Sequence, residues 1–291
     1  MPRPTAGLVP YEMDAEMKIL SLCSGYGGLD MAVEQHFSAK TAYWSDIDKT
    51  ACDVMSARFP DAQPIGDLTT LDLTMIHADV LTAGYPCQPF STAGNRLGEK
   101  DERHLWPYIR NTISVLRPRF VVLENVAGHL SMGAAAVVGD LAALGYDAQW
   151  TVVRASDVGA PHQRKRLFIV ADADGGTGEK FHLGDGDRGR PQTRLDRKAR
   201  TNFERPSLPS EFERYRKAVT GWQETTGRRA PVPVKGSRIT AEWVEWMMGV
   251  EKGWVCDIAP NKTQALRLLG NGVVPQQAKR ALELLTCARK R

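Results

Sequence analysis

Six short apolar runs spaced by helix-like stretches constrain this chain more than any other feature. Ile19–Leu22, Thr41–Ser45, Val80–Ala83, Phe120–Leu123, Ala148–Val153 and Leu167–Ala171 have the length and side-chain content of buried strands. The stretches near Leu29–Phe37, Lys49–Arg58, Leu105–Leu116 and Ala134–Leu144 read as helices. This alternation predicts an α/β fold, a doubly wound and mostly parallel sheet with right-handed crossovers. The last two strands are joined by a loop too short for a crossover helix, so they are expected to pair antiparallel. Such sheets bind ligands outside the carboxyl ends of their strands, which makes the residues just after each run the site candidates.

The pattern changes after Asp172. Residues 172–240 are rich in Gly, Pro and Arg, with one helix expected around Phe212–Trp222. Ile239–Met248 then reads as helical, with Trp243, Trp246 and Met247 at i, i+3 and i+4, a stripe that belongs in a core rather than on a base-stacking platform. An amphipathic helix, Gln276–Arg289, follows Gly270-Asn271-Gly272-Val273-Val274-Pro275. The expected organisation is a tail over 1–16, a catalytic domain from 17–171 plus 263–291, and a small inserted target-recognition region over 172–262.

Composition narrows the class. With 42% hydrophobic and 25% charged residues over 291 positions, the chain is globular. No apolar run approaches the roughly 18 residues of a membrane span, and Met1–Glu16 lacks the apolar core of a signal peptide. Five cysteines, odd in number and without a CxxC or Cys/His cluster, point to reduced thiols in a cytoplasm, with no zinc site or disulfide framework. The net charge is +4, yet Asp172–Arg238 alone carries 15 Lys and Arg against 10 Asp and Glu. That basic excess suits either a solvated surface or contact with a polyanion.

The ends of four strands and the start of the last carry chemistry. Ser24-Gly25-Tyr26-Gly27-Gly28-Leu29 follows the first strand, and its glycines permit a tight turn and close approach to a ligand. Nucleotides, flavins and S-adenosylmethionine all use such a turn. Asp46 ends the second strand, placed to accept from ribose hydroxyls, and Asp67 follows the next apolar patch, where a carboxylate could hold an adenine amino group. A GxxxxGK[ST] phosphate loop is absent, which argues against ATP or GTP chemistry. After the third strand comes Gly84-Tyr85-Pro86-Cys87-Gln88-Pro89-Phe90-Ser91, a thiol on a loop stiffened by prolines on both sides. Glu124 ends the next strand in Glu124-Asn125-Val126. Arg164 and Arg166 begin the last, and alternation puts both on one face.

Pro86-Cys87-Gln88, Glu124-Asn125-Val126, Pro161-His162-Gln163-Arg164-Lys165-Arg166 and Gly270-Asn271-Gly272-Val273-Val274-Pro275 resemble, in order, four motifs of the DNA (cytosine-5) methyltransferases. The resemblance covers roughly 17–171 and 263–291. It implies a Rossmann-like domain that takes S-adenosyl-L-methionine, releases S-adenosyl-L-homocysteine and needs no metal. Cys87 would attack carbon-6 of a flipped-out cytosine, Glu124 would donate a proton to ring nitrogen-3, and Arg164 and Arg166 would clamp the base or orient Glu124. Cofactor contacts would come from Cys23, Ser24, Gly25, Tyr26, Gly27, Gly28, Asp46, Ile47, Asp67, Leu68, Pro86, Asn271 and Val273. Gln88, then Ser91, Arg96 and Arg103 in a loop that closes over the target, and Arg188, Arg190, Arg194 and Arg197 would meet the substrate. Cys23 stands where the family has an aromatic residue that stacks on adenine, and Ile47 where it has a tryptophan. The implied partner is double-stranded DNA, with a cognate restriction endonuclease as a companion and a monomer in solution. Two alternatives stay open: the same chemistry on tRNA, and a non-catalytic nucleic-acid-binding relative.

Overall fold

The computed structural model describes residues 16–86, 105–173 and 208–286. Strands β1 (Met17–Leu22), β2 (Ala39–Ser45), β3 (Gln63–Pro64), β4 (Val80–Gly84), β5 (Phe120–Val126), β6 (Asp147–Arg154) and β7 (Lys165–Asp172) form one sheet. Helices α1 (Gly28–Phe37), α2 (Lys49–Arg58), α3 (Trp106–Leu116), α4 (His129–Met132) and α5 (Ala134–Ala143) lie between them in sequence. All six strands and four helices read from the sequence are present. The strand order is β3-β2-β1-β4-β5-β7-β6, parallel except where β7 pairs antiparallel with both β5 and β6. The winding reverses between β1 and β4, so the ligand-binding crevice of a doubly wound sheet falls at that boundary.

Strand alternation builds the two faces. Leu20, Leu22, Leu81, Ala83, Val121 and Leu123 pack against Ile109 and Ile113 of α3 and Val137 and Leu141 of α5. Ile19, Val80, Val122 and Phe168 face the other way, against Leu29 and Val33 of α1 and the last helix, α9 (Pro275–Thr286). The C-terminal segment therefore returns to the first helix, and α9 begins on proline, whose fixed φ suits a first helical position.

Residues 208–271 contain a 3₁₀ turn over Ser210–Tyr215, helix α6 (Arg216–Thr226), a two-residue hairpin of β8 (Val234–Lys235) and β9 (Arg238–Ile239), and helices α7 (Ala241–Met247) and α8 (Lys262–Asn271). Thr240 caps α7 through Trp243 N, and Asn261 caps α8 through Gln264 N. The helix expected at Phe212–Trp222 is displaced to 216–226. The hairpin and α8 carried too little periodicity to be read beforehand. Trp243 and Trp246 are buried, as the stripe implied, and form one apolar cluster with Trp222, Leu268, Ala51, Val54 and Tyr26. This core is shared: α1 and α2 contribute alongside α6 to α8. The buried Glu245 carboxylate accepts from Gly253 N, Val255 N and Cys256 N at 2.7–2.8 Å, which folds the 250–258 loop onto the same core. No helix of the described residues is long and apolar enough to cross a membrane.

Trp222 is fully buried, and its indole donates to Trp246 O at 2.9 Å. Trp222→Ala should cost about 3–5 kcal/mol, measured by urea unfolding. Because the core is shared, unfolding should remain one transition; separate transitions for the two regions would contradict that packing.

Candidate active site

The chain leaves β1 through a turn in which Cys23, Gly25 and Gly27 all have left-handed backbone, at φ 52, 59 and 80. This fold-back aims Gly25 N at Asp46 Oδ2, 2.8 Å away, while Asp48 N binds Asp46 Oδ1 at 2.9 Å. Asp46 thus ties the first turn to the end of β2, and burial raises its pKa. Asp67 caps a 3₁₀ turn through Thr69 N and Thr69 Oγ1, with Leu68 buried beneath it. Ile47 is 80% exposed at the rim of the same cleft. Burial, then the charges of Asp46 and Asp67, push the Cys23 thiol up to about 12, so it stays protonated and acts as a small apolar wall.

At the opposite end, Gly84 of β4 and Glu124 of β5 are paired in register. Glu124 is buried, and its Oε1 lies 2.7 Å from Arg166 Nε on the antiparallel β7. Burial pushes the carboxyl up to about 7, against the opposing pull of Arg166 and then Arg164. A carboxyl so poised holds its proton near neutrality and has a guanidinium fixing its direction. Asn125 Nδ2 donates to Tyr85 O at 3.0 Å, and the Tyr85 hydroxyl lies 3.1 Å from His129 Nε2. The end of β4 is therefore lashed to the end of β5 immediately before position 87. Cys87 itself lies outside the described residues, as do Gln88, Ser91, Arg96, Arg103, Arg188, Arg190, Arg194 and Arg197.

The third wall comes from the C-terminal return. Arg164 Nη2 donates to Gly270 O at 2.8 Å and Gly272 O at 2.6 Å, which holds the turn bearing Asn271 and Val273 against the first loop. Among the described residues Arg166 forms the ion pair with Glu124, while Arg164 Nη2 is held by these carbonyls. The Tyr26 side chain turns away from the cleft. It is fully buried, its hydroxyl donates to Val273 O at 2.5 Å, and it packs behind the cleft rather than lining it. Gly27 also turns away, since a Cβ there would strike the Phe59 ring at 2.3 Å. Gly28 and Gly272 are required by close approach: added Cβ atoms would fall 2.3 Å from Val273 O and 1.9 Å from the Tyr26 ring.

These walls enclose one cavity of about 1160 Å³, lined by Cys23, Ser24, Gly25, Gly28, Asp46, Ile47, Asp67, Leu68, Pro86, Glu124, Arg166, Asn271 and Val273, among others. Single-ligand pockets run to roughly 1,000 Å³, so there is room for a cofactor and a second group beside Glu124. Sequence reasoning missed Asp30, Asn125, the Tyr85–His129 pair and the Arg267–Asp48 ion pair at 2.6 Å on the rim. Asp30 looked like an ordinary first-turn acid of a helix. The others are contacts between residues far apart in sequence, which no local pattern announces.

A family model for C-5 cytosine-specific DNA methylases matches residues 17–188. The Type II methyltransferase M.NlaIV of Neisseria lactamica is 33% identical over 173 residues, 53% of this chain and 41% of that protein. M1.ScrFI of Lactococcus lactis subsp. cremoris is 34% identical over 171 residues, 56% of this chain and 44% of that one. The chain thus spans less than half the length of these curated relatives. Among solved structures, the Entamoeba histolytica methyltransferase EhMeth superposes with a TM-score of 0.64 at 18% identity, covering 96% of this chain and 100% of its own. A putative DNA modification methyltransferase encoded within an Escherichia coli prophage gives 0.62 at 19% identity, covering 95% and 100%. The structural likenesses establish the fold, and the family match spans more than half of the sequence. The chain belongs to the C-5 cytosine-specific DNA methylase family.

Proposed function

We propose that the protein transfers a methyl group to carbon-5 of cytosine in a short sequence of double-stranded DNA. The observation that carries this reading is the buried Glu124 carboxyl, poised near neutrality and oriented by Arg166, beside the strand end that delivers Cys87. The cavity also fits the family's methyl donor. Its lining carboxylates, Asp30, Asp46, Asp48, Asp67 and Glu124, suit a nucleoside bearing positive charge, and Asp46 and Asp67 are assigned to the ribose hydroxyls and the adenine amino group. S-adenosyl-L-methionine supplies an electrophilic methyl group there. Asn271, Val273, Leu68 and Pro86 complete its walls, and Cys23 and Ile47 replace stacking with plain apolar contact.

The chain's own groups do the rest. Cytosine carbon-5 is a poor nucleophile until a thiolate adds at carbon-6. Cys87 forms that bond while Glu124 hands its proton to ring nitrogen-3, leaving carbon-5 enamine-like. After methylation, loss of the carbon-5 proton to water, expulsion of the Cys87 thiolate and return of the nitrogen-3 proton to Glu124 restore the ring. The base must leave the duplex for this, at a cost of a few kcal/mol. Gln88, Ser91, Arg96 and Arg103 are assigned to hold it and its phosphates. Sequence choice is assigned to the inserted region, where Arg188, Arg190, Arg194 and Arg197 supply phosphate and base contacts. A cognate restriction endonuclease is assigned as its companion and a cytoplasm as its setting, in keeping with its likeness to Type II methyltransferases.

The test is incorporation of labelled methyl from S-adenosyl-L-methionine into mixed-sequence duplex DNA, with tRNA as competitor, then single-base mapping of 5-methylcytosine. Methylation at one recurring short sequence is expected; transfer to tRNA alone would overturn the DNA reading. Cys87→Ser should abolish transfer while leaving donor binding intact by calorimetry. Glu124→Gln should slow turnover by about 10²-fold or more. The donor works only while protonated, and the folded pKa is raised, so the Glu124-dependent rate should be full below about 7 and fall as pH rises through it. That alkaline limb should vanish in Glu124→Gln. Arg166→Met removes the principal charge pulling the Glu124 pKa down, so the titration should move to higher pH in carboxyl ¹³C NMR.

A further inference from the structure

Asp30 is a buried carboxyl of the cavity that takes no step in the reaction above. It sits in the first turn of α1, only 1% exposed, yet lines the cavity where the sheet's winding reverses. Its two oxygens are held from two adjacent strands. Ser21 Oγ of β1 lies 2.8 Å from Oδ2, and Thr82 Oγ1 of β4 lies 2.5 Å from Oδ1, residues that are themselves paired in register. Ser21 and Thr82 also line the cavity. Among the described residues no cation forms an ion pair with Asp30, and the like charge of Glu34 acts on it. Burying a carboxylate without a counter-charge is expensive. Burial duly raises its pKa to about 6, with the hydroxyl hydrogen bonds opposing.

We propose that Asp30 is the anionic seat for the ammonium group on the amino-acid tail of the methyl donor, with Ser21 and Thr82 fixing the carboxylate in place. This rests on the S-adenosyl-L-methionine reading above. The donor carries two positive centres, and position along the strands separates them. The sulfonium bears the methyl and belongs by Glu124, whose register partner is Gly84. Thr82 lies two residues further back along β4, roughly 7 Å at strand rise, which leaves the ammonium as the charge that meets Asp30. The nucleoside end is taken by Asp46 and Asp67 on the far side of the first turn. A cation at Asp30 supplies the missing counter-charge, so the seat is costly empty and favourable when filled.

Calorimetric binding of S-adenosyl-L-homocysteine and of 5′-methylthioadenosine, which lacks the amino-acid tail, tests the assignment without requiring turnover. Asp30→Asn keeps the shape and removes the charge, with one of the two hydroxyls turning to accept from the amide nitrogen. It should weaken S-adenosyl-L-homocysteine at least tenfold and leave 5′-methylthioadenosine within about twofold. Equal weakening of both ligands, or of neither, would overturn the proposal. If Asp30→Asn does not fold, Thr82→Val, which takes away one of the two hydroxyls, should give the same selective loss in smaller measure, and an unselective loss would again refute it. Failure of the wild-type protein to bind either ligand would instead sink the cofactor reading itself, and this assignment with it.

Discussion

The contact on which the rest depends joins the first glycine-rich turn to the segment before α9. Tyr26 reaches Val273 O across 247 positions, Arg164 binds the carbonyls of Gly270 and Gly272, and Gly28 and Gly272 give up side chains so that two backbones can touch. A buried carbonyl with no donor would cost on the order of 1–3 kcal/mol, so each of these bonds is held against a penalty. The result is a wall. Without it, the crevice between β1 and β4 would be an open trough with Asp46 and Asp67 on one bank only.

Electrostatics divide the cavity into three stations. Each carboxylate is treated differently by its surroundings. Asp46 is tied down by backbone amides, Glu124 is balanced between burial and a guanidinium, and Asp30 is held by hydroxyls alone. Identical functional groups are thereby held in three different states, and environment makes the distinction. The protonated, apolar-facing Cys23 thiol between the stations keeps the first turn from adding a competing nucleophile.

Much of this was legible beforehand because it is local. Period-2 runs and 3.6-period stretches mark the sheet and its helices, and motif residues at strand ends must share an edge once the sheet is parallel. The hidden parts are of two kinds. Tyr26 and Gly27 sit inside a ligand-binding motif yet face the core, because a turn with three left-handed residues points alternate side chains away from the cleft. Arg164 matches its motif in sequence but serves the C-terminal turn, a decision made by the distance to Gly270 and Gly272 rather than by strand alternation. Asp30 and the Asn125–Tyr85 tie depend on which strands become neighbours, and strand order is not written in any single segment.

The closing wall has a consequence in time. On a ribosome moving at about 5–20 residues per second, Tyr26 emerges roughly 10–50 seconds before its partner at Val273. Throughout that interval β1 and α1 expose the surface that α9 will cover, and the donor crevice lacks one side. The crevice of a nascent chain therefore stays open on one side until α9 docks, and the apolar face that α9 covers needs shielding in the interval.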